Sequence, residues 1–370
     1  MRKLMLFGAA LLLAAACDSG SKYTVKGTIT GDSEAVINGV AYLFNQDREN
    51  PIRDTAAVVN GVFEFTGTVV TPEPYVISIE GVPGMVSIFL ENDNFTVTGV
   101  DTVFSEAVIS GGQAQEMLNR YSASAEDLAE QCGLNEAIEV LSSVEATEAD
   151  RDAAMEAYQK YQEEVGNMRE AMIAEAPVSN FALYFMSQEY IYMDTDTLAV
   201  RLDAYKASPA FADNRIVAEL DEYLQKELAL SPGMKAPDFT LDNPEGEPVT
   251  FSEFYKDNKV TMLDFWASWC GPCRNFNPTL VGIYEKYRDL GFGIIGVSLD
   301  RDKESWIQGI EEDGLNWTHV SDLMFWQSEV GQLYNVSFIP QNVFVDAEGN
   351  IIGRKVAEDE IEALLDEYLK

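Results

Sequence analysis

The chain has 370 residues, 46% hydrophobic and 24% charged, enough apolar material for packed cores and more length than one small domain uses. Acidic residues outnumber basic ones 62 to 25, and the net charge of −37 repels nucleic acid and anionic membrane surfaces and argues against both as partners. Four cysteines, Cys17, Cys132, Cys270 and Cys273, are too few for a disulfide-stapled scaffold, and only the last two have redox spacing.

The N-terminus has the layout of an export signal over residues 1–16. Arg2 and Lys3 form a positive start, residues 4–13 a short apolar run, and Ala14, Ala15 and Ala16 a small-residue cleavage site. Because Cys17 follows directly, the segment resembles a bacterial lipoprotein signal, and that resemblance implies that Cys17 is lipidated and becomes the first residue of an exported protein in the periplasm or cell envelope. Residues 17–22 then form a lipid-anchored tether, with Asp18-Ser19-Gly20-Ser21 flexible. No later run reaches the 18 or more apolar residues of a spanning helix, so the expected membrane attachment is through the lipid alone.

Over residues 23–110 the hydrophobic pattern has period two. Runs at 23–29, 40–44, 58–59, 62–65, 75–79, 86–90 and 95–98, bounded by Gly, Pro and Asn, predict short strands. Asn60-Gly61 between two of them is a type I′ hairpin signal. An antiparallel β-sandwich-like domain or barrel is expected, with no catalytic constellation in it. Its layout resembles the small β domain that precedes a thioredoxin module in many Bacteroidetes lipoproteins.

Residues 111–230 are rich in Ala, Glu, Leu and Met and predict a helical region, broken near Gly133, at Pro177 and at Ser208-Pro209. From 113 to 230 there are 24 acidic and 8 basic residues, read as solvated helix faces, the alternative being a docking surface for a basic partner. Cys132 has no mate in sequence and reads as a small buried hydrophobe.

Ser231-Pro232-Gly233 marks the start of a domain at 231–370. Short strands are expected at 234–241 and 249–254, then a buried strand at 260–266, an amphipathic helix at 274–290, a strand at 293–299, and helices at 303–312 and 326–334. Strands at 341–345 and 351–356 flank a turn, and a helix runs from 358 to the end. Strands alternating with helices and closed by a hairpin give a mixed sheet covered on both faces, so the fold class is multidomain: all-β, then helical, then α/β. Between strand 260–266 and the following helix stands Trp269-Cys270-Gly271-Pro272-Cys273. That position puts Cys270 at a helix N-terminus, where unpaired N–H groups favour a thiolate, and makes it the candidate nucleophile. Cys273 lies about one helical turn on and can reach back to close a disulfide.

The W-C-G-P-C run resembles thioredoxin, and residues 232–370 as a whole, opening with Met234-Lys-Ala-Pro-Asp-Phe-Thr-Leu241, resemble the TlpA-like and ResA-like thioredoxins. The resemblance implies a thiol-disulfide oxidoreductase that needs no organic or metal cofactor, acts on protein disulfides and is re-reduced by a membrane electron donor. Its Gly271-Pro272 dipeptide is that of a reductant. Asp264, alone in an apolar strand six residues before Cys270, matches thioredoxin's buried aspartate, which implies that it takes the proton of Cys273. Pro340, after Ile339, matches the cis-proline that offers backbone to a substrate chain, Pro278 the helix-kinking proline, and Trp269 part of the contact surface. A thiol peroxidase is the first alternative, but no cysteine lies in the P-x-x-x-T-x-x-C context it needs. A binding or adaptor lipoprotein working through its N-terminal domains is the second. A zinc site lacks two ligands beyond the cysteine pair, and His319, the only histidine, reads as a surface or loop residue.

Overall fold

The computed structural model describes residues 22–45 and 53–370. Cys17 and the export signal lie outside them. The period-two stretch forms β1 (Tyr23–Thr30), a short helix α1 (Glu34–Asn38), β2 (Gly39–Asn45), β3 (Arg53–Val59), β4 (Val62–Gly67), β5 (Glu73–Ile79), β6 (Met85–Leu90), β7 (Asn94–Val100) and β8 (Val108–Ser110). In β1, Tyr23, Val25, Gly27 and Ile29 face inward and the residues between them outward. Gly27 pairs with Phe63 of β4, whose ring lies where a β-carbon would stand, within 2.5 Å. Asn60 (φ 52°) and Gly61 (φ 77°) make the turn between β3 and β4 with the positive φ values of a type I′ hairpin.

The pairing departs from the expected antiparallel arrangement in one pair of strands. All eight strands belong to one sheet, ordered β6-β5-β2-β3-β4-β1-β7-β8, in which β1 and β7 run parallel. Residues from every strand join a single core, and among the described residues the end strands β6 and β8 do not pair, so the sheet is not closed. Period two reveals which face of a strand is buried but not which neighbour it pairs with, and a parallel pair looks the same in sequence.

Six helices follow: α2 (Gln113–Cys132), α3 (Leu134–Ser142), α4 (Glu148–Glu175), α5 (Asn180–Glu189), α6 (Thr195–Lys206) and α7 (Arg215–Ala229). Gly133 ends α2 in the left-handed conformation (φ 69°). The break between α3 and α4 is set by a reciprocal cap, Thr147 Oγ1 accepting from the Asp150 amide at 3.2 Å while Asp150 Oδ2 accepts from the Thr147 amide at 3.0 Å. Cys132 is a free thiol, half-buried in the last turn of α2 rather than enclosed in a core. No helix among the described residues is long and apolar enough to cross a membrane.

The chain divides into two compact units, and these helices are shared between them. The first comprises residues up to Gln188 with Ser208–Ile216; the second comprises Glu189–Ala207 and Val217–Lys370. In the first, α2 is seated on the sheet by polar contacts: Gln115 Oε1 accepts from the Phe89 amide at 2.7 Å and Glu91 Oε1 from the Ala114 amide at 2.9 Å.

The second unit continues with β9 (Thr240–Asp242), β10 (Pro248–Thr250), α8 (Phe251–Tyr255), β11 (Val260–Trp266), α9 (Gly271–Tyr287), β12 (Phe292–Ser298), α10 (Lys303–Asp313), β13 (Thr318–Val320), α11 (Glu329–Leu333), β14 (Gln341–Asp346), β15 (Ile351–Arg354) and α12 (Ile361–Leu369). The strand expected at 249–254 is only β10, paired with β9, after which Phe251 turns inward as the start of α8; stacking of Phe251 on Phe239 at 5.2 Å overrides the β preference of the run. The main sheet is ordered β13-β12-β11-β14-β15, parallel on the β13-β12-β11 side and antiparallel beyond. Its central strand β11 is buried along its whole length. Val260 and Met262 pack beneath Phe276, Leu280 and Ile283 of α9, whereas Leu263 and Phe265 pack on the opposite face with Phe251 and Tyr334.

Helix α7 is joined to this unit by a buried ion pair. Glu227 accepts from Arg354 Nη1 at 2.6 Å, from Lys355 Nζ at 2.8 Å and from Asn335 Nδ2 at 2.5 Å. Burial raises the carboxyl's pKa, but the bonds from Arg354 and Lys355 outweigh it and hold the group below the usual glutamate range. Removing one partner strands the other charge. Glu227→Ala is therefore expected to destabilise this unit by about 3–5 kcal/mol. All five tryptophans lie at or after Trp266, so the shift of the urea midpoint in tryptophan fluorescence measures this unit alone; an unchanged midpoint would show that the pair adds nothing.

Candidate active site

At the end of β11 the chain leaves the sheet, turns at Ala267 with the Cys270 amide donating to its carbonyl, and enters α9. Helix N-termini leave four N–H groups without intrahelical partners, and a capping side chain from Ser, Thr, Asp or Asn usually takes one of them. Here the cap is sulfur: Cys270 Sγ accepts from the Cys273 amide at 3.2 Å. In the reduced protein the same amide and the helix dipole stabilise a thiolate on Cys270. The two cysteines are disulfide-bonded, their Cα atoms 5.3 Å apart. Gly271 and Pro272 between them are exposed, whereas Cys273 faces inward. Both cysteines lie in a cluster with Trp266, Ala267, Leu299 and Trp306, against which Ile339 packs. The Ile339–Pro340 peptide is cis and leads into β14, and Ile339 is the residue of the two that packs on the cysteine cluster. Pro278 lies inside α9.

Asp264 is on the α9 side of β11, since it falls in the same period-two series as Val260, Met262 and Trp266. It is 3% exposed, and its Oδ2 has no hydrogen-bond partner. Its cross-strand neighbours explain the isolation. Gly296 on β12 has no side chain, and Asn342 on β14 spends its amide on Val356, donating to the carbonyl and accepting from the N–H at 2.9 Å each. Burial pushes the Asp264 carboxyl up to about 7. A group that gains or loses its proton near neutrality, under the helix carrying Cys273, is suited to proton transfer.

A second ring of residues, which no sequence motif singled out, fixes the Cys270 loop. Asp300, 1% exposed, accepts from the Ser268 amide at 3.0 Å and the Ser268 hydroxyl at 2.6 Å. Arg274 donates to the Ser268 carbonyl at 3.1 Å and forms an ion pair with Asp313, which also accepts from buried Asn277 at 2.7 Å. The available signals were an aspartate directly after a buried strand and an arginine directly after the second cysteine. His319, expected at the surface, is instead 3% exposed on β13, lying against Trp317 and Trp266 with ring centroids 5.7 Å away in each case. Burial pulls its pKa down to about 4 and keeps the imidazole neutral, which lets it pack as an aromatic. Among the described residues no group of three or more His, Cys, Asp or Glu side chains is placed to hold a metal.

The sequence matches the model of the AhpC/TSA family over residues 232–354 and that of a domain of unknown function, DUF4369, over residues 23–118. It is 30% identical over 129 residues to the thiol-disulfide oxidoreductase ResA of Geobacillus kaustophilus, covering 35% of this chain and 71% of that one. ResA of Bacillus cereus is 27% identical over 148 residues, 40% of this chain and 82% of its own. Among solved structures, a thiol-disulfide oxidoreductase from Bacteroides fragilis is 33% identical and matches 36% of this chain and 98% of its own, with a TM-score of 0.35.

The raised Asp264 pKa has a stability consequence whose sign is fixed. An unfolded aspartate titrates near 3.9, so between about pH 4 and pH 7 the folded state holds the extra proton and unfolding free energy falls as pH rises, by about 4 kcal/mol in all. Asp264→Asn removes this loss. Its stability relative to wild type should climb by that order between pH 4 and pH 8 in urea unfolding followed by tryptophan fluorescence; a difference independent of pH would place the group back at its ordinary pKa.

Proposed function

Since the chain belongs to the ResA-like thiol-disulfide oxidoreductases of the thioredoxin superfamily, we propose that it reduces protein disulfides in the cell envelope through the Cys270-Cys273 dithiol. The observation that carries this reading is the Cys270 sulfur capping α9 from the Cys273 amide, with an unpaired carboxyl beneath the same helix. Cys270 thiolate attacks one sulfur of a substrate disulfide. The substrate S–S bond breaks, a mixed disulfide forms, and the other substrate sulfur leaves as a thiolate that takes a proton from water. Cys273 then gives its proton to Asp264 and attacks the Cys270 sulfur, and the second substrate sulfur leaves as a thiolate that takes a proton from water. Two electrons have passed to the substrate, and the product disulfide is the form of the enzyme in this structure. A membrane dithiol donor would restore the dithiol by the reverse exchange. No organic or metal group takes part.

Trp269, Gly271, Pro272, Ile339 and Pro340 are the residues we assign to contact with the substrate chain. The first three flank Cys270 in the sequence, and Ile339 packs on the cysteine cluster. Pro340 follows Ile339 and directly precedes β14. We further assign Cys17 to lipid attachment, on its position after the small residues that end the export signal. The domain arrangement we propose is a tether at 17–22, a β domain at 23–110, a helical region at 111–230 and the redox domain at 231–370.

Cys273→Ser keeps the nucleophile and removes the thiol that expels the substrate, so covalent complexes cleavable by reductant and attached at Cys270 should accumulate on incubation with envelope proteins. They should vanish in the double variant with Cys270→Ser, and trapping through Cys273 would reverse the assignment. Cys17→Ser should move the protein from the detergent phase to the aqueous phase in a Triton X-114 partition; unchanged partition would remove the anchor.

A further inference from the structure

We infer that a shelf formed by Met324, Phe325 and Trp326 beside Trp269 selects the substrate: it takes a bulky apolar or aromatic residue next to the cysteine in the disulfide-bearing chain. The inference rests on the reductase reading above. Trp269, directly before Cys270, is 48% exposed; Met324 is 51% and Trp326 40% exposed. Their rings form one patch, with centroids 5.1 Å apart for Trp269–Phe325, 6.1 Å for Trp269–Trp326 and 5.8 Å for Phe325–Trp326. Arg301 lies over the Phe325 ring, 4.1 Å from its centroid. Scattered exposed apolar residues are ordinary, but a contiguous patch beside a reactive group marks a contact surface.

The shelf is held in shape at a cost. Leu323 and Phe325 both have φ of 56°, the left-handed region that bulky side chains avoid. Leu323 is thereby turned onto the cysteine cluster while Met324 and Trp326 stay outside. The loop's short polar side chains are used on its own backbone. Ser321 Oγ accepts from the Leu323 amide at 3.1 Å, Asp322 accepts from the Met324 and Glu329 amides at 3.0 Å each, and Ser328 Oγ accepts from the Gly331 amide at 3.3 Å. A second tie runs through Ser321 Oγ, which donates to the Ser298 carbonyl, two residues before the Asp300 that fixes Ser268. What the loop offers outward beside Trp269 is therefore mostly apolar and already ordered, which lowers the entropy lost on binding.

Continuity with the dithiol identifies the occupant. Anything that covered this shelf permanently would also cover Trp269 and obstruct Cys270, so the occupant must arrive and leave with the disulfide being exchanged. Aromatic rings and a methionine thioether favour large apolar side chains over acidic ones.

The test uses the full chain, dithiothreitol as reductant, and three disulfides: a cystine peptide with Phe or Leu beside its cysteines, the same peptide with Ser and Glu there, and glutathione disulfide. Wild type should favour the apolar peptide by about tenfold in kcat/KM. Trp326→Ala and Met324→Ser should remove that preference by raising KM for the apolar peptide about tenfold, with kcat and the glutathione disulfide rate unchanged, and Trp326→Phe should restore most of it. Equal rates of wild type on the two peptides, or equal losses on all three disulfides in the variants, would overturn the assignment. So would a dimer in sedimentation velocity that Trp326→Ala dissociates, which would give the shelf to a second copy. Failure of wild type to reduce any of the three would instead sink the reductase reading itself.

Discussion

The hydrogen bond from the Cys273 amide to the Cys270 sulfur makes a cysteine into a helix cap, and the second unit holds that bond in place. A cap works only if the chain enters the helix at a fixed angle. Here β11 is fully buried, so the chain leaves the sheet from a rigid base, and Asp300 and Arg274 grip Ser268 on its way to Cys270. The apolar residues of α9, Cys273, Phe276, Leu280, Ile283 and Tyr287, recur at intervals of three and four and press the helix onto the sheet. Packing thus fixes where the helix begins, and where it begins determines which cysteine feels its unpaired amides.

Asp264 is the opposite kind of feature, a group the fold leaves unsatisfied. Buried polar atoms are nearly always hydrogen-bonded, and an isolated buried carboxylate is expensive. The surroundings nevertheless supply nothing: one neighbour is glycine and the other is an asparagine committed elsewhere. The carboxyl responds by holding its proton to a higher pH, which places its titration where cysteine chemistry operates. Local rules broken in this way, in an otherwise well-packed strand, are expected at sites kept for function.

The redox site was largely visible in the sequence because its signals are local. A C-x-x-C between an apolar run and an amphipathic one specifies a strand end and a helix start, and an aspartate inside the apolar run stands out against its neighbours. The contacts around it are long-range and were not visible: Asp300 is 32 residues from Ser268, and Asp313 is 39 from Arg274. A lone histidine reads as a surface residue because the sequence gives no sign that it packs against Trp266 of a different strand. The short strand β13 is not legible in the sequence for a similar reason, being three residues long and stabilised by its pairing with β12 rather than by its own pattern. In the first unit the alternation revealed the strands and Asn60-Gly61 their turn, while the parallel pairing of β1 with β7 depends on chain tracing that alternation does not encode.

The Glu227 pair bears on how this chain can be divided and recombined. The stretch that resembles other oxidoreductases begins at residue 232, yet the carboxylate that neutralises Arg354 lies five residues before it, on α7. Cutting or grafting at the edge of the similarity would carry the guanidinium along without its counter-charge and bare the side of the sheet where Leu230 packs. The heritable block is therefore larger than the recognisable one. A relative that lacks the preceding helix has to meet the charge at Arg354 by another means or carry an uncharged residue there, so the identity of that one position records whether a thioredoxin module has travelled alone or with its helix.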